Sequence, residues 1–260
     1  MPAHHSLLPI QVGSDACLRL VCLPYAGGGA AAFHRWRPFF PPEIELVPLR
    51  LPGREDRFSD QPYTNLLMLA KDGCDAISSI NDRPIALMGY SMGAYVVLEI
   101  AREIRRRNLR NPELLVVAAS RAPHLAKTRP HIGDLPDDQF VSEIVRHYEG
   151  VPPAILEQKE LLSLLLPTLR ADIKMLEEYE PHDEPPLEME ILALGGAEDR
   201  GVSIADFQAW KNYTTARCST RLIPGGHFFL FRDQEPGPGT AIPIGLQIVV
   251  DRLRKVLEEQ

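Results

Sequence analysis

Basic residues are in the minority in this chain: 28 Lys and Arg stand against 35 Asp and Glu among 260 residues, a net charge of −7. A surface that binds nucleic acid needs the opposite balance, so that class is excluded. Cysteine is scarce. Cys17, Cys22, Cys74 and Cys218 stand apart with no CxxC pair, which excludes a disulfide frame and a cysteine-built zinc site and reads as reduced thiols of a cytosolic protein. No uncharged apolar run approaches the roughly 20 residues of a membrane span. The opening MPAHHSLLPIQVGSDA has no Lys or Arg and only a brief apolar stretch, unlike a signal peptide. Internal repeats and low-complexity tracts are also missing. These absences predict a soluble cytoplasmic protein with neither a nucleic-acid nor a membrane partner.

What is present is ample core material, 45% hydrophobic residues against 24% charged. The length suits one large α/β domain or two small ones. Six apolar runs of strand length recur along the chain: CLRLVCL (17–23), EIELVPLRL (43–51), PIALMGY (84–90), ELLVVAAS (113–120), EMEILALG (188–195) and CSTRLIP (218–224). Helical periodicity separates them in AAFHRWRPFF, TNLLMLAKDGCDAISSI, GAYVVLEIAREIRRRN and IADFQAWKNYTT, and returns in the closing IGLQIVVDRLRKVLEE. Strands alternating with helices predict a mostly parallel sheet covered on both faces. From Pro123 to Pro186 no strand pattern appears, while DDQFVSEIVRHYEG and KELLSLLLPTLRADIKMLEEYE read as helices. The expected organisation is therefore a tail over 1–16, a core over 17–122 and 187–260, and a helical insertion over 123–186. The insertion is too long for an ordinary connection and reads as a lid over the site, or else as a small second domain with no gating role.

In Gly89-Tyr90-Ser91-Met92-Gly93 a strand pattern turns into a helix pattern at a serine with glycines two residues to either side. This pattern fits the GxSxG elbow of α/β-hydrolases, in which a sharp turn lifts the nucleophile clear of the sheet. The chain order Ser, acid, His places the base after the last core strand. His227 in RLIPGGHFFLF stands there, whereas His4 and His5 lie in the tail, His34 on a helix, and His124, His131, His147 and His182 in or beside the insertion. The acid belongs just past the preceding strand, where EILALGGAEDRG offers Asp199, with Glu198 as its neighbour and alternative. The oxyanion hole needs the amide of Met92 and one from the loop LPYAGGGAAAF, Ala26 or Gly27. No cofactor or metal site is read from the sequence. The glycine run matches neither GxxxxGK[ST] nor GxGxxG.

Together LPYAGGGAAAFHRW, PLRLPGREDRF, GYSMGA, GGAEDRGVS followed by a Trp, and PGGHFFL resemble in order and spacing the type II thioesterases. These are stand-alone α/β-hydrolases that accompany nonribosomal peptide and polyketide synthases. The resemblance extends through LPTLRADIKMLEEY in the insertion. It implies hydrolysis of acyl thioesters on the phosphopantetheine arm of carrier proteins by a monomer. Ser91 would be the nucleophile, Asp199 the acid, His227 the base, and Ala26 and Met92 the oxyanion amides. A carboxylester hydrolase, or a carrier-binding protein without turnover, are the alternatives. Two positions depart from the family pattern: Tyr90 where His is usual, implying an altered pocket or packing contact, and Arg200 where Pro often follows the acid. The leucines of LLSLLLPTL would line the acyl channel or bury on the core. An acidic carrier needs basic residues, for which Arg54 and Arg57 are the better placed. Arg102, Arg105, Arg106, Arg107 and Arg110 read rather as a solvated helix face.

Overall fold

The computed structural model describes residues 16–125, 130–148, 159–231 and 241–259. The N-terminal tail with His4 and His5 lies outside the described residues, apart from Ala16. Six strands, β1 (Leu18–Leu23), β2 (Ile44–Pro48), β3 (Ile85–Tyr90), β4 (Leu114–Ala118), β5 (Glu190–Gly196) and β6 (Cys218–Ile223), form one parallel sheet in the order β2-β1-β3-β4-β5-β6. Each falls inside one of the six apolar runs, except that β5 continues one residue further, to Gly196.

The runs are continuous because both faces of the sheet are covered. Val21, Leu23, Leu87, Leu115, Val117, Ile191 and Ala193 point to one face, where they meet α1 (Leu66–Ser78) and α2 (Met92–Arg106). Leu20, Cys22, Met88, Tyr90, Val116, Leu192 and Leu194 alternate with them onto the other face, beneath the helical segment Ala30–Phe39. Each large apolar side chain buried this way stabilises the fold by about 1.5–3 kcal/mol. Asn65 caps α1, its side chain accepting from Met68 N–H at 3.0 Å.

The segment Ala30–Phe39 is helical as the periodicity predicts, but it is a 3₁₀ helix. Its buried residues are Ala30, Phe33, Trp36 and Phe39, a spacing of three, which suits three residues per turn better than 3.6. Between β4 and β5 lie α3 (Asp137–Tyr148) and α4 (Lys159–Glu178), which pack on each other through Phe140, Ile144, Leu166 and Ile173. After β5 come a short helix, α5 (Ile204–Gln208), and a 3₁₀ turn over Ala209–Tyr213. The closing helix, α6 (Ile244–Glu258), buries Leu246, Val249, Leu253 and Val256 against the second face.

Candidate active site

The carboxyl ends of β1, β3, β5 and β6 deliver four loops to one edge of the sheet. Ser91 follows β3 directly and occupies φ +53°, ψ −110°, a conformation that L-residues rarely adopt and that costs on the order of 1–3 kcal/mol. Ser91 N–H donates to Ala118 O at 2.8 Å and helps hold the turn. Although Ser91 is the N-cap of α2, its hydroxyl caps nothing. It is directed instead at His227, with 3.1 Å between Oγ and Nε2.

The flanking glycines are spatially obligatory. A Cβ on Gly89 would stand 2.1 Å from Gly93 O, and one on Gly93 would stand 2.3 Å from Leu23 O. Both neighbours are backbone and cannot rotate away. Gly93→Ala is expected to force β1 and α2 apart and destabilise the fold by about 2 kcal/mol or more, read as a lowered urea midpoint. A midpoint equal to that of the wild type would show that the backbone yields there.

His227 lies past β6, nine-tenths and more buried, and the Gly225 φ of +120° turns its loop back toward Ser91. Its Nδ1 is 2.8 Å from Asp199 Oδ2. An ionised carboxylate has no proton to give, so Nδ1 carries the hydrogen and Nε2 is left as the acceptor facing the Ser91 hydroxyl. The other Asp199 oxygen accepts from Gly201 N–H at 2.7 Å. Glu198 is exposed and its side chain does not enter this chain of contacts. Asp206 forms a capping box with Ser203 and pairs with Arg121.

Met92 opens α2, so its N–H has no carbonyl one turn earlier to bond. In the facing loop Gly27 N–H donates to Asp172 Oδ2 at 2.8 Å. Of the two amides the sequence leaves open, Ala26 N–H is the one without a hydrogen-bond partner among the described residues.

Beside Ser91 and Met92 opens a largely apolar cavity walled by Tyr95, Leu125, Ile132, Ile173, Leu176 and Tyr179. Its α4 wall therefore runs from Ile173 to Glu177, with Tyr179 just past the helix end, one or more turns beyond LLSLLLPTL. In that leucine run Leu164 is largely exposed and Leu166 packs against α3, because helical rotation turns this part of α4 away from the cavity. Tyr179 donates to Glu99, a carboxyl buried in α2, at 2.8 Å; burial and the Glu99 charge push the phenol well above its usual range, so it stays a donor.

Several sequence expectations are narrowed or changed here. Of the altered pocket or packing contact expected at Tyr90, the packing contact is what forms, and Tyr90 does not reach the cavity. It lies on the opposite face, fully buried among Tyr25, Phe228, Phe229 and Phe231, and its hydroxyl donates to the His227 carbonyl. The arginines on and just after α2 are only in part a solvated face: Arg106 and Arg110 are exposed, Arg110 beside Glu113, and the rest are drawn inward by ion pairs. Arg102 is buried and donates to Glu99 at 2.7 Å, Arg105 and Arg106 pair with Glu184, and Arg107 pairs with Glu103. Arg54 is buried against Asp172, and Arg57 pairs with Asp60, so neither is placed to greet an acidic partner. Glu99 and Glu103 lie within a turn of their arginines on α2, whereas Glu184, Asp172 and Asp75, which also pairs with Arg107, come from distant segments. His131, read as an insertion residue, joins the cavity lining.

A doubly covered parallel sheet with Ser, His and Asp aligned at its carboxyl edge defines an α/β-hydrolase. A family model for the thioesterase domain matches residues 18–237. The gramicidin S biosynthesis protein GrsT of Aneurinibacillus migulanus is 41% identical over 224 residues, spanning 86% of this chain and 87% of that protein. Among solved structures, RedJ, a thioesterase of the prodiginine pathway in Streptomyces coelicolor, superposes with a TM-score of 0.81 at 36% identity, covering 93% of this chain and 91% of its own. YbtT, a type II thioesterase of the yersiniabactin pathway, gives 0.78 at 30% identity over 92% and 94%. The chain belongs to the thioesterase family, on its type II side, and is an enzyme that hydrolyses thioesters.

Among the described residues, no helix is long and apolar enough to cross a membrane. No group of three or more His, Cys, Asp or Glu among them could hold a metal ion.

Proposed function

We propose that this thioesterase removes acyl groups from the phosphopantetheine arm of carrier proteins, in editing or release for polyketide or nonribosomal peptide synthesis, through an acyl-Ser91 intermediate. It would act as a monomer in the cytoplasm, with residues 123–186 as the cover of its acyl site. The observation that carries this reading is the position of His227, 3.1 Å from Ser91 Oγ and 2.8 Å from Asp199 Oδ2, beside an apolar cavity.

In this mechanism His227 Nε2 takes the Ser91 proton as Oγ bonds to the thioester carbonyl carbon. The carbonyl oxygen becomes an oxyanion, which the amides of Ala26 and Met92 stabilise. The carbon–sulfur bond breaks as His227 returns the proton to the pantetheine sulfur, and the thiol leaves. Water then attacks the acyl-serine, giving a proton to His227. Collapse frees the acid and returns that proton to Ser91 Oγ. Asp199 holds the imidazole in the required tautomer throughout.

The test compares one acyl group presented as a carrier-protein thioester and as a simple oxygen ester. A kcat/KM for the carrier thioester at least about a hundredfold higher is expected, a difference of roughly 2.7 kcal/mol in transition-state stabilisation. Equal or preferential turnover of the simple ester would make the chain a carboxylester hydrolase instead.

A further inference from the structure

The turn that presents Ala26 is gripped by charged side chains that the mechanism above leaves unused. Gly28 N–H donates to Tyr25 O at 2.9 Å and Gly27 adopts φ +76°, the pattern of a type II turn with glycine in its third place. Asp172, in the middle of α4, accepts the Gly27 N–H. Arg54 embraces the same carboxylate with both terminal nitrogens, at 2.8 and 2.9 Å, and also donates to Gly28 O at 2.8 Å. The next residue, Glu55, accepts from Ala30 and Ala31 N–H at 3.0 and 2.7 Å, holding the far end of the loop. One turn before Asp172 on α4, Thr168 Oγ1 donates to Gly53 O at 2.5 Å. Leu169 lies over Gly27, its Cδ1 3.1 Å from where a Cβ would stand.

Fold stability alone does not account for this arrangement. Asp172 and Arg54 are 2% and 6% exposed, and a buried ion pair is often no more stabilising than apolar side chains of the same size. An apolar pair would fill the space, yet it could not bond Gly27 N–H and Gly28 C=O together. Those two bonds and the Gly28-to-Tyr25 bond leave the turn little rotational freedom, with Ala26 N–H as its unclaimed donor.

We propose that Asp172 and Arg54 are positioning residues for the oxyanion hole, a reading that rests on the function proposed above. Asp172 occupies the Gly27 amide and fixes the turn so that Ala26 N–H faces the reacting carbonyl. Arg54 holds Asp172 in place and cancels its charge. An unpaired carboxylate one residue from the oxyanion would oppose the charge that develops there. Pairing makes a carboxylate usable at that position. Because Asp172 belongs to α4, the helical insertion takes part in building the catalytic amide and does not merely cover the substrate.

The test measures hydrolysis of an acyl-carrier thioester by Asp172→Ala and Asp172→Asn. Alongside, it measures binding of two acyl analogues: a trifluoromethyl ketone, which forms a tetrahedral adduct on Ser91, and an unreactive thioether. Removing an oxyanion donor outright costs on the order of a hundredfold or more, and a misaligned donor costs less. Asp172→Ala is expected to lower kcat by about 10- to 100-fold with KM within about twofold. Affinity for the ketone should fall in the same proportion, while thioether affinity stays unchanged. Asp172→Asn, which keeps an oxygen acceptor for Gly27 N–H, should recover part of that loss.

A kcat within twofold of wild type in Asp172→Ala, or ketone and thioether affinities falling together, would overturn the inference. Should Asp172→Ala fail to fold, the isosteric Asp172→Asn decides: a several-fold loss shared by kcat and ketone affinity supports the inference, and values within twofold of wild type overturn it. Absence of thioester hydrolysis by the wild-type chain would strike the functional proposal instead, and so is distinguishable.

Discussion

Ser91→Ala is expected to lower kcat for an acyl-carrier thioester by about 10⁴-fold or more, in keeping with the loss when a serine nucleophile is removed. The fold should survive the change intact. The Ser91 hydroxyl makes no capping bond to α2, so its removal leaves no helix amide newly unsatisfied. Nor does alanine relieve the φ of +53°, because the turn is imposed by the close approach of β3, α2 and β1. Thermal unfolding should therefore stay near that of the wild type while turnover and labelling by a fluorophosphonate disappear. Retention of thioester hydrolysis by Ser91→Ala would remove Ser91 from the mechanism.

Asp199→Asn is expected to be nearly as damaging, and the cause lies in its second hydrogen bond. Gly201 N–H donates to Asp199 Oδ1, so an asparagine here keeps its carbonyl oxygen on that side. Its amide nitrogen then faces His227 Nδ1, which must become an acceptor, and the imidazole proton moves to Nε2. An Nε2 that already carries hydrogen cannot take the Ser91 proton. Loss of about 10⁴-fold in kcat at neutral pH follows from such a tautomer change. Glu198→Gln, on an exposed side chain, should leave kcat within about twofold, as surface changes generally do. Steady-state kinetics of the two variants side by side decide between the neighbouring acids. A larger loss in Glu198→Gln would reverse the assignment.

The sheet was legible because its two buried faces make every strand an apolar run, and a one-residue alternation then sends Leu87 one way and Met88 the other. The elbow was legible because its constraint is local: glycines are needed wherever backbone meets backbone around Ser91. His227 and Asp199 followed from chain order once the elbow was placed. What stayed hidden depends on distant pairing. Asp172 sits in an amphipathic helix, where a carboxylate ordinarily means solvent, and its partners Gly27 and Arg54 lie 145 and 118 residues away. Arg54 itself reads as a loop cation. The only local sign was a charged pair, Arg54-Glu55, directly after Gly53, whose φ of +80° marks an enforced turn. Tyr90 was visible as a departure from the family pattern, yet its facing could be settled only by strand register, which turns it away from the cavity.

One stretch of α4, together with Tyr179 just past its end, carries two duties on adjacent residues. Thr168, Leu169 and Asp172 bear on the loops that present Ala26, while Ile173, Leu176 and Tyr179 wall the acyl cavity. Choice of acyl group and speed of reaction are thus geared together. An enlarged cavity obtained by trimming Ile173 or Leu176 leaves the gear engaged. One obtained by shifting the whole helix drags the catalytic turn with it, so new acyl preferences are within easier reach through side-chain size than through helix placement.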